Sequence, residues 1–163
     1  MEIRPARPEE LEEVGRITLQ AYVADGYLSP EDPYAQRLLD AGRRSSDAEV
    51  WVAVEDEQVL GSVTFCPVGS AFREIARDDE GEFRMLAVSD DARGRGVGRG
   101  LVEHCLSRSG ELGYRGVRMS SMDRMSAAHR VYERLGFIRV SQDDWTPEPG
   151  VRLLAYAMHL PDS

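Results

Sequence analysis

Lysine and asparagine are absent from this chain: all 20 basic side chains are arginines. Without lysine there is no phosphate-loop lysine and no lysine Schiff base. Cysteine is scarce. Cys66 and Cys105 sit in apolar segments without metal-ligand spacing, which reads as two small buried hydrophobes in a reducing compartment. His, Cys and acidic residues nowhere cluster with ligand spacing, so no metal is expected. No apolar run approaches the roughly 20 residues that span a bilayer. The first residues, Met1-Glu2-Ile3-Arg4, enter a strand-like pattern and not an apolar leader. A cytoplasmic location without a membrane partner is the expectation. A basic excess is missing too: the net charge is −9 and the pI about 4.9. That argues against a nucleic-acid partner and mildly favours a cationic small molecule.

What is present fits one globular domain over residues 1–163, with 42% hydrophobic and 30% charged residues. Residues 3–6 read as a short strand. Pro8-Glu9-Glu10 opens a helix carried on by Leu11, Val14, Ile17, Leu19 and Tyr22. A turn-rich loop follows, and residues 34–43 read as a second helix. Residues 50–54 and 59–66 form a hairpin around Asp56-Glu57-Gln58. A polar connection, with a helical turn near 72–77 and a solvated acidic run at Asp78-Asp79-Glu80, leads to an apolar strand at 83–88. Val97, Leu101, Val102, Cys105 and Leu106 mark one helix face. A strand at 116–120, a helix at 126–135 capped by Gly136, and strands at 137–140 and 151–158 complete the chain, the last two joined by a loop at 142–150. The expectation is an α/β fold: a central mixed, mostly antiparallel sheet of six to seven strands flanked by about four helices.

The most informative stretch is Ser89-Asp90-Asp91-Ala92-Arg93-Gly94-Arg95-Gly96-Val97-Gly98-Arg99-Gly100. It leaves an apolar strand and enters an amphipathic helix. Such a junction offers free backbone N–H groups at the positive end of the helix dipole, a site for pyrophosphate. The dinucleotide pattern G-x-G-x-x-G fails, because Arg99 and Leu101 stand where its last glycine belongs. What remains is Arg93-x-x-Gly96-x-Gly98.

Arg93-x-x-Gly96-x-Gly98, directly after Met85-Leu86-Ala87-Val88, resembles the coenzyme-A signature of the GNAT acetyltransferases. Ala128-x-x-x-Tyr132 followed by Gly136-Phe137 resembles the family's second segment. The resemblance implies the GNAT fold, with a splay between the fourth and fifth strands. It also implies acetyl-CoA as co-substrate, its pyrophosphate on Arg93, Gly94, Arg95, Gly96, Val97, Gly98 and Arg99. The pantetheine arm would pair with the backbone of Leu86, Ala87 and Val88 as an added strand. Many members carry Asn seven residues before the tyrosine; here that position is Met125.

The implied activity is N-acetyl transfer to an amine of a small molecule or a peptide by direct attack in a ternary complex, in a monomer or homodimer. A GNAT-fold module that holds acyl-CoA without turnover is the alternative. The reaction needs a neutral amine, yet at pH 7 only a few parts in ten thousand of an amine with a pKa of about 10.4 are neutral. A base, direct or through water, is called for, and Glu82 is the candidate. A backbone N–H near Val88 is the expected oxyanion donor, and Tyr132 the family-matched proton donor to the leaving thiolate. Tyr22, Asp25, Tyr27 and Tyr34, with Glu31 and Trp145, are the candidate lining for a cationic acceptor.

Overall fold

Eight strands share one mixed sheet in the computed structural model, which describes residues 1–24, 26 and 28–161. In chain order the elements are β1 (Glu2–Pro5), α1 (Leu11–Ala24), α2 (Tyr34–Leu39), α3 (Ala41–Asp47), β2 (Glu49–Glu55), β3 (Gln58–Cys66) and β4 (Glu80–Val88). Then come α4 (Val97–Glu111), β5 (Gly116–Met122), α5 (Ser126–Leu135), β6 (Ile138–Arg139), β7 (Trp145–Glu148) and β8 (Val151–His159). The strands run β1-β2-β3-β4-β5-β8-β6, with β7 on β8. Only β4–β5 pairs in parallel; the other pairs are antiparallel. No helix among the described residues is long and apolar enough to cross a membrane.

Four departures from the sequence expectation have local causes. The eighth strand is β7, which folds the expected loop at 142–150 back onto β8, with Glu148 opposite Val151. The expected helix at 34–43 breaks at Asp40, whose side chain accepts the Arg43 N–H at 3.0 Å and so starts α3 anew. The guanidinium of Arg44, 2% exposed, closes the break by donating to the carbonyls of Arg37 and Leu38. Residues 72–77 form no helix; Glu82 takes the backbone N–H groups of Glu74, Ile75 and Ala76 instead. Glu80 is not solvated loop but the first residue of β4, ion-paired with Arg118 at 2.9 Å.

The β2–β3 hairpin turns on Asp56 and Glu57, both at positive φ, the backbone of a two-residue primed turn. α4 packs on the sheet through Val97, Leu101, Val102 and Cys105, against Phe65, Phe83, Val117 and Met119. Each large apolar side chain so enclosed contributes about 1.5–3 kcal/mol. α1 covers the first half-sheet through Val14 and Ile17 on Val50, Val52 and Val54.

Two features of β4 make the site. First, β4 and β5 pair only at Glu80↔Gly116 and Gly81↔Val117, although both strands continue. The sheet therefore splays beyond Gly81. Second, Ser62 faces Ala87 while Thr64 faces Arg84, so Met85 and Leu86 together oppose Val63. That is a β-bulge, and Met85 adopts the left-handed backbone at φ 56 that it requires. Packing of the Met85 side chain with Tyr22 and Leu38 holds it there.

Candidate active site

The splay opens into two connected spaces that meet at Tyr22, Leu86, Met125 and Ala128. One is a groove of about 510 Å³ on the α4 side. The other is a cavity of about 430 Å³ on the α1–α2 side.

The groove holds nine of the ten residues that the sequence assigns to a coenzyme: Leu86, Ala87, Val88, Arg93, Gly94, Gly96, Val97, Gly98 and Arg99. Gly94 and Gly96 take positive φ of 77° and 79°, and Gly96 is the N-cap of α4. No side chain caps that helix end, so its first N–H groups face the groove as an anion site. The residues present fit a pyrophosphate. Arg93, Arg95 and Arg99 are about half exposed and ion-paired with Asp90, Glu55 and Glu103. Exposed pairs of this kind contribute only about 0–1 kcal/mol, so exchange for a ligand phosphate costs little. Arg95 departs from the expectation: it reaches back to Glu55 at the end of β2 and is not part of the groove wall. Sequence reading missed the opposite wall, Ala127, Val131 and Arg134 of α5. The helical period of α5 alone carries that signal, because 127, 131 and 134 share a face.

Tyr132 lines the cavity, 3% exposed, with its ring 5.7–5.8 Å from those of Phe83, Phe137 and Tyr156. Burial pushes its phenol well above the ordinary tyrosine value, against the hydrogen bond with the Ser121 hydroxyl. His129 packs one turn away with Nε2 3.0 Å from the Met122 carbonyl oxygen, and burial lowers its pKa.

Glu82 is placed differently from the sequence expectation. It is 0% exposed and is not part of the cavity wall. Its Oε1 accepts three backbone N–H groups, from Glu74 at 2.9 Å, Ile75 at 3.1 Å and Ala76 at 3.0 Å. Its Oε2 is buried without a hydrogen-bond partner among the described residues. Burial raises its pKa against those three bonds. The carboxylate that does line the cavity from this loop is Glu74, ion-paired to Arg84 Nε at 3.0 Å. Burial raises the Glu74 pKa as well. Arg84 also donates to the Phe72 carbonyl and to the Tyr34 hydroxyl, both at 3.2 Å. Glu82 and Arg84 are two residues apart on β4, so they face the same side of the strand. That alternation of charge in Glu80-Gly81-Glu82-Phe83-Arg84 was the available signal for a buried polar cluster.

Of the expected acceptor lining, Tyr22 and Tyr34 line the cavity; Asp25 and Tyr27 lie outside the described residues. Glu31 is exposed and bonded to Ser29. Trp145 donates to Ser120 Oγ at 3.4 Å and is not in the wall, whereas Glu148 and Leu153 nearby are. Four of the six methionines, Met85, Met119, Met122 and Met125, line this cavity, giving it an adaptable apolar floor. Met125, at the family's Asn position, stands at the junction of the two spaces, with Sδ 3.7 Å from Ser121 Oγ. Among the described residues no group of three or more His, Cys, Asp or Glu is arranged to hold a metal.

Residues 46–139, over half the chain, match the family model of the acetyltransferase (GNAT) domain. Mycothiol acetyltransferase of Cellulomonas flavigena is 32% identical over 120 residues, 68% of this chain and 34% of that protein. Human N-acetyltransferase 8B is 27% identical over 116 residues, 69% of this chain and 50% of that protein. The chain thus spans a third to a half of the curated relatives it matches. Among solved structures, a GNAT-family acetyltransferase of Staphylococcus aureus Mu50 superposes with a TM-score of 0.76 at 15% identity, covering 98% of this chain and 99% of that one. The structure of yncA from Salmonella typhimurium, which carries its cofactor acetyl-CoA, superposes with 0.72 at 19% identity, covering 100% of this chain and 95% of that one.

Proposed function

Because the chain belongs to the GNAT acetyltransferase family, we propose that it transfers the acetyl group of acetyl-CoA to the amine of an acceptor held in the cavity. The single observation that carries this reading is the junction of the two spaces: the coenzyme groove and the cavity meet at Leu86, on the bulged and unpaired edge of β4.

Gly94, Gly96, Gly98 and the uncapped first turn of α4 bind the pyrophosphate, aided by Arg93 and Arg99. The backbone of Leu86, Ala87 and Val88, left without a β5 partner, pairs with the pantetheine arm. When bound, acetyl-CoA supplies the acetyl group as an activated thioester. A backbone N–H of the bulged segment near Val88 stabilises the negative charge that develops on the carbonyl oxygen. Tyr132, kept protonated by burial, gives its proton to the departing sulfur. Tyr22 and Tyr34, with the methionine floor, receive the acceptor. That lining suits an amine carried on an apolar or aromatic body. Burial pushes the Cys66 thiol up to about 12 and Cys105 well above the ordinary value, so both are inert and suit a reducing cytoplasm.

Calorimetry with acetyl-CoA, with NAD as control, tests the first half; thiol release across an amine panel tests the second. Micromolar binding of acetyl-CoA but not NAD, followed by amine-dependent thiol release, is the expected result. Absence of binding to any coenzyme A species would sink it. Binding without turnover of any amine would leave a non-catalytic acyl-CoA module.

A further inference from the structure

We propose, resting on the reading above, that Glu74 is the residue that deprotonates the acceptor amine, and that Glu82 is a positioning residue that holds Glu74 in the cavity wall.

The observations converge on one loop. Residues 72–76 carry no regular structure, yet β4 grips them from both ends of their polarity. Glu82 Oε1 gathers the N–H groups of Glu74, Ile75 and Ala76. Arg84 Nη1 binds the carbonyl of Phe72. Arg73 adds bonds to the carbonyls of Cys66, Glu80 and Arg77. In the loop so tied, the Glu74 side chain enters the cavity wall while staying 21% exposed. It is therefore near enough to solvent to release a proton and buried enough to be basic. Glu82 is buried but lacks the first property: its carboxyl is sealed in, outside the cavity wall, and a proton taken from substrate has no path to it. Glu148, the other acid of the wall, stands exposed on β7.

Four groups face Glu74. Arg84, ion-paired at 3.0 Å, and the exposed Arg37 of α2 favour its carboxylate. The Glu82 carboxyl disfavours it. The hydroxyl of Tyr34 shares Arg84 with it. Burial outweighs the two cations, so the pKa lies above the ordinary carboxylate value. That is the direction a base needs to work near neutral pH.

Glu74 takes one proton from the ammonium group, breaking N–H and forming O–H, directly or through one water. The freed lone pair forms the N–C bond to the acetyl carbon as the C–S bond breaks. The sulfur takes the phenolic proton of Tyr132. The second proton released by the nitrogen restores that phenol, and the proton on Glu74 leaves to solvent through the cavity mouth.

Three variants and two readouts test this. Glu74→Gln is expected to lower kcat/KM for the amine about 10²-fold or more and to remove the acid limb of its pH profile. Its acetyl-CoA affinity, by calorimetry, stays within about twofold, because Glu74 is not in the groove wall. Glu74→Asp keeps the limb with part of the rate. Glu82→Gln keeps the three-amide acceptor and removes a neighbouring negative charge. The limb then persists but moves to lower pH, a shift that a merely structural residue would not cause. The second readout needs no turnover: the Glu74 carboxyl is titrated by carbon NMR in the wild type and in Glu82→Gln. A raised value in the wild type that falls in the variant is expected. A limb lost in Glu82→Gln and kept in Glu74→Gln would overturn the assignment. So would an unshifted Glu74 titration. Failure of the wild type to bind acetyl-CoA instead strikes the functional reading and is told apart by the calorimetry.

Discussion

Replacing Tyr132 by phenylalanine separates chemistry from packing at the centre of the site. The ring is held by Phe83, Phe137 and Tyr156 at 5.7–5.8 Å, contacts that phenylalanine keeps. What is lost is one buried hydroxyl and its bond with Ser121, worth about 0.5–1.5 kcal/mol. For a domain of this size that lowers Tm by roughly 1–6 °C. The catalytic effect is larger. The phenol, raised above 10 by burial, is a weaker acid than a thiol of pKa about 8.5. Full proton transfer to the thiolate is thus uphill by more than about 2 kcal/mol. The expected loss in kcat accordingly sits near the lower end of general-acid effects, about 10²-fold and not 10⁴. Acetyl-CoA affinity should hold within about twofold, since Tyr132 lines the cavity and not the groove. The assay is thiol release at saturating coenzyme, with calorimetry for binding and a melt for stability. A kcat within threefold of wild type would refute the reasoning and return Tyr132 to the core as packing.

Gly98→Ala should raise stability by about 0.5–1 kcal/mol, because its Cβ meets only Val88 Cγ2 at 3.6 Å in the first turn of α4. The same methyl narrows the groove and should weaken acetyl-CoA about tenfold, or about 1.4 kcal/mol; urea midpoints and calorimetry read the opposite signs. Gly15→Ala should destabilise by about 1–3 kcal/mol, since its Cβ would stand 2.1 Å from the Leu39 carbonyl oxygen. That contact is with backbone, which no side-chain rotation relieves, so the urea midpoint should fall. Asp144, bonded to Arg139 and to the Ala155 N–H, has its pKa lowered from 3.8 to about 2. A depressed carboxyl stabilises above its unfolded value and loses that stability as pH falls through the folded one. Asp144→Asn should therefore flatten the stability curve between pH 3.8 and about 2, read by chemical denaturation across that range.

The elements legible in the sequence were those fixed by local chemistry. The apolar face of α4 marked the start of that helix, and the glycine cap of α5 placed the end of the other. Nine of the ten residues assigned to a coenzyme from the Arg93-x-x-Gly96-x-Gly98 loop and the strand before it lie along one groove, because a helix start and the strand leading into it are adjacent backbone. What was not legible depends on contacts between distant segments. Asp40 breaks a helix whose pattern continues through it, and the buried Arg44 supports that break by binding the carbonyls of Arg37 and Leu38. β7 exists because β8 offers it an edge. Glu74 sits in a stretch without periodicity and acquires its place from Glu82 and Arg84, eight and ten residues later. Glu82 was singled out as an acid at the right strand, but sequence carries no sign of which way a strand residue faces once both faces are covered. Arg95 pairs with a hairpin forty residues away.

The seam between β4 and β5 has a mechanical consequence. Two rungs, Glu80↔Gly116 and Gly81↔Val117, with the Arg118–Glu80 pair beside them, form the apex of a wedge. Past that apex no ladder sets the gap, and its angle is fixed from behind by α4, whose Leu101 and Cys105 lie across Phe83 and Val117. Volume changes on that hidden helix face therefore act as an adjusting screw on the width of the slot. Substitutions at Leu101 or Cys105 would thus change the gap between β4 and β5 without replacing any residue of the groove or cavity wall.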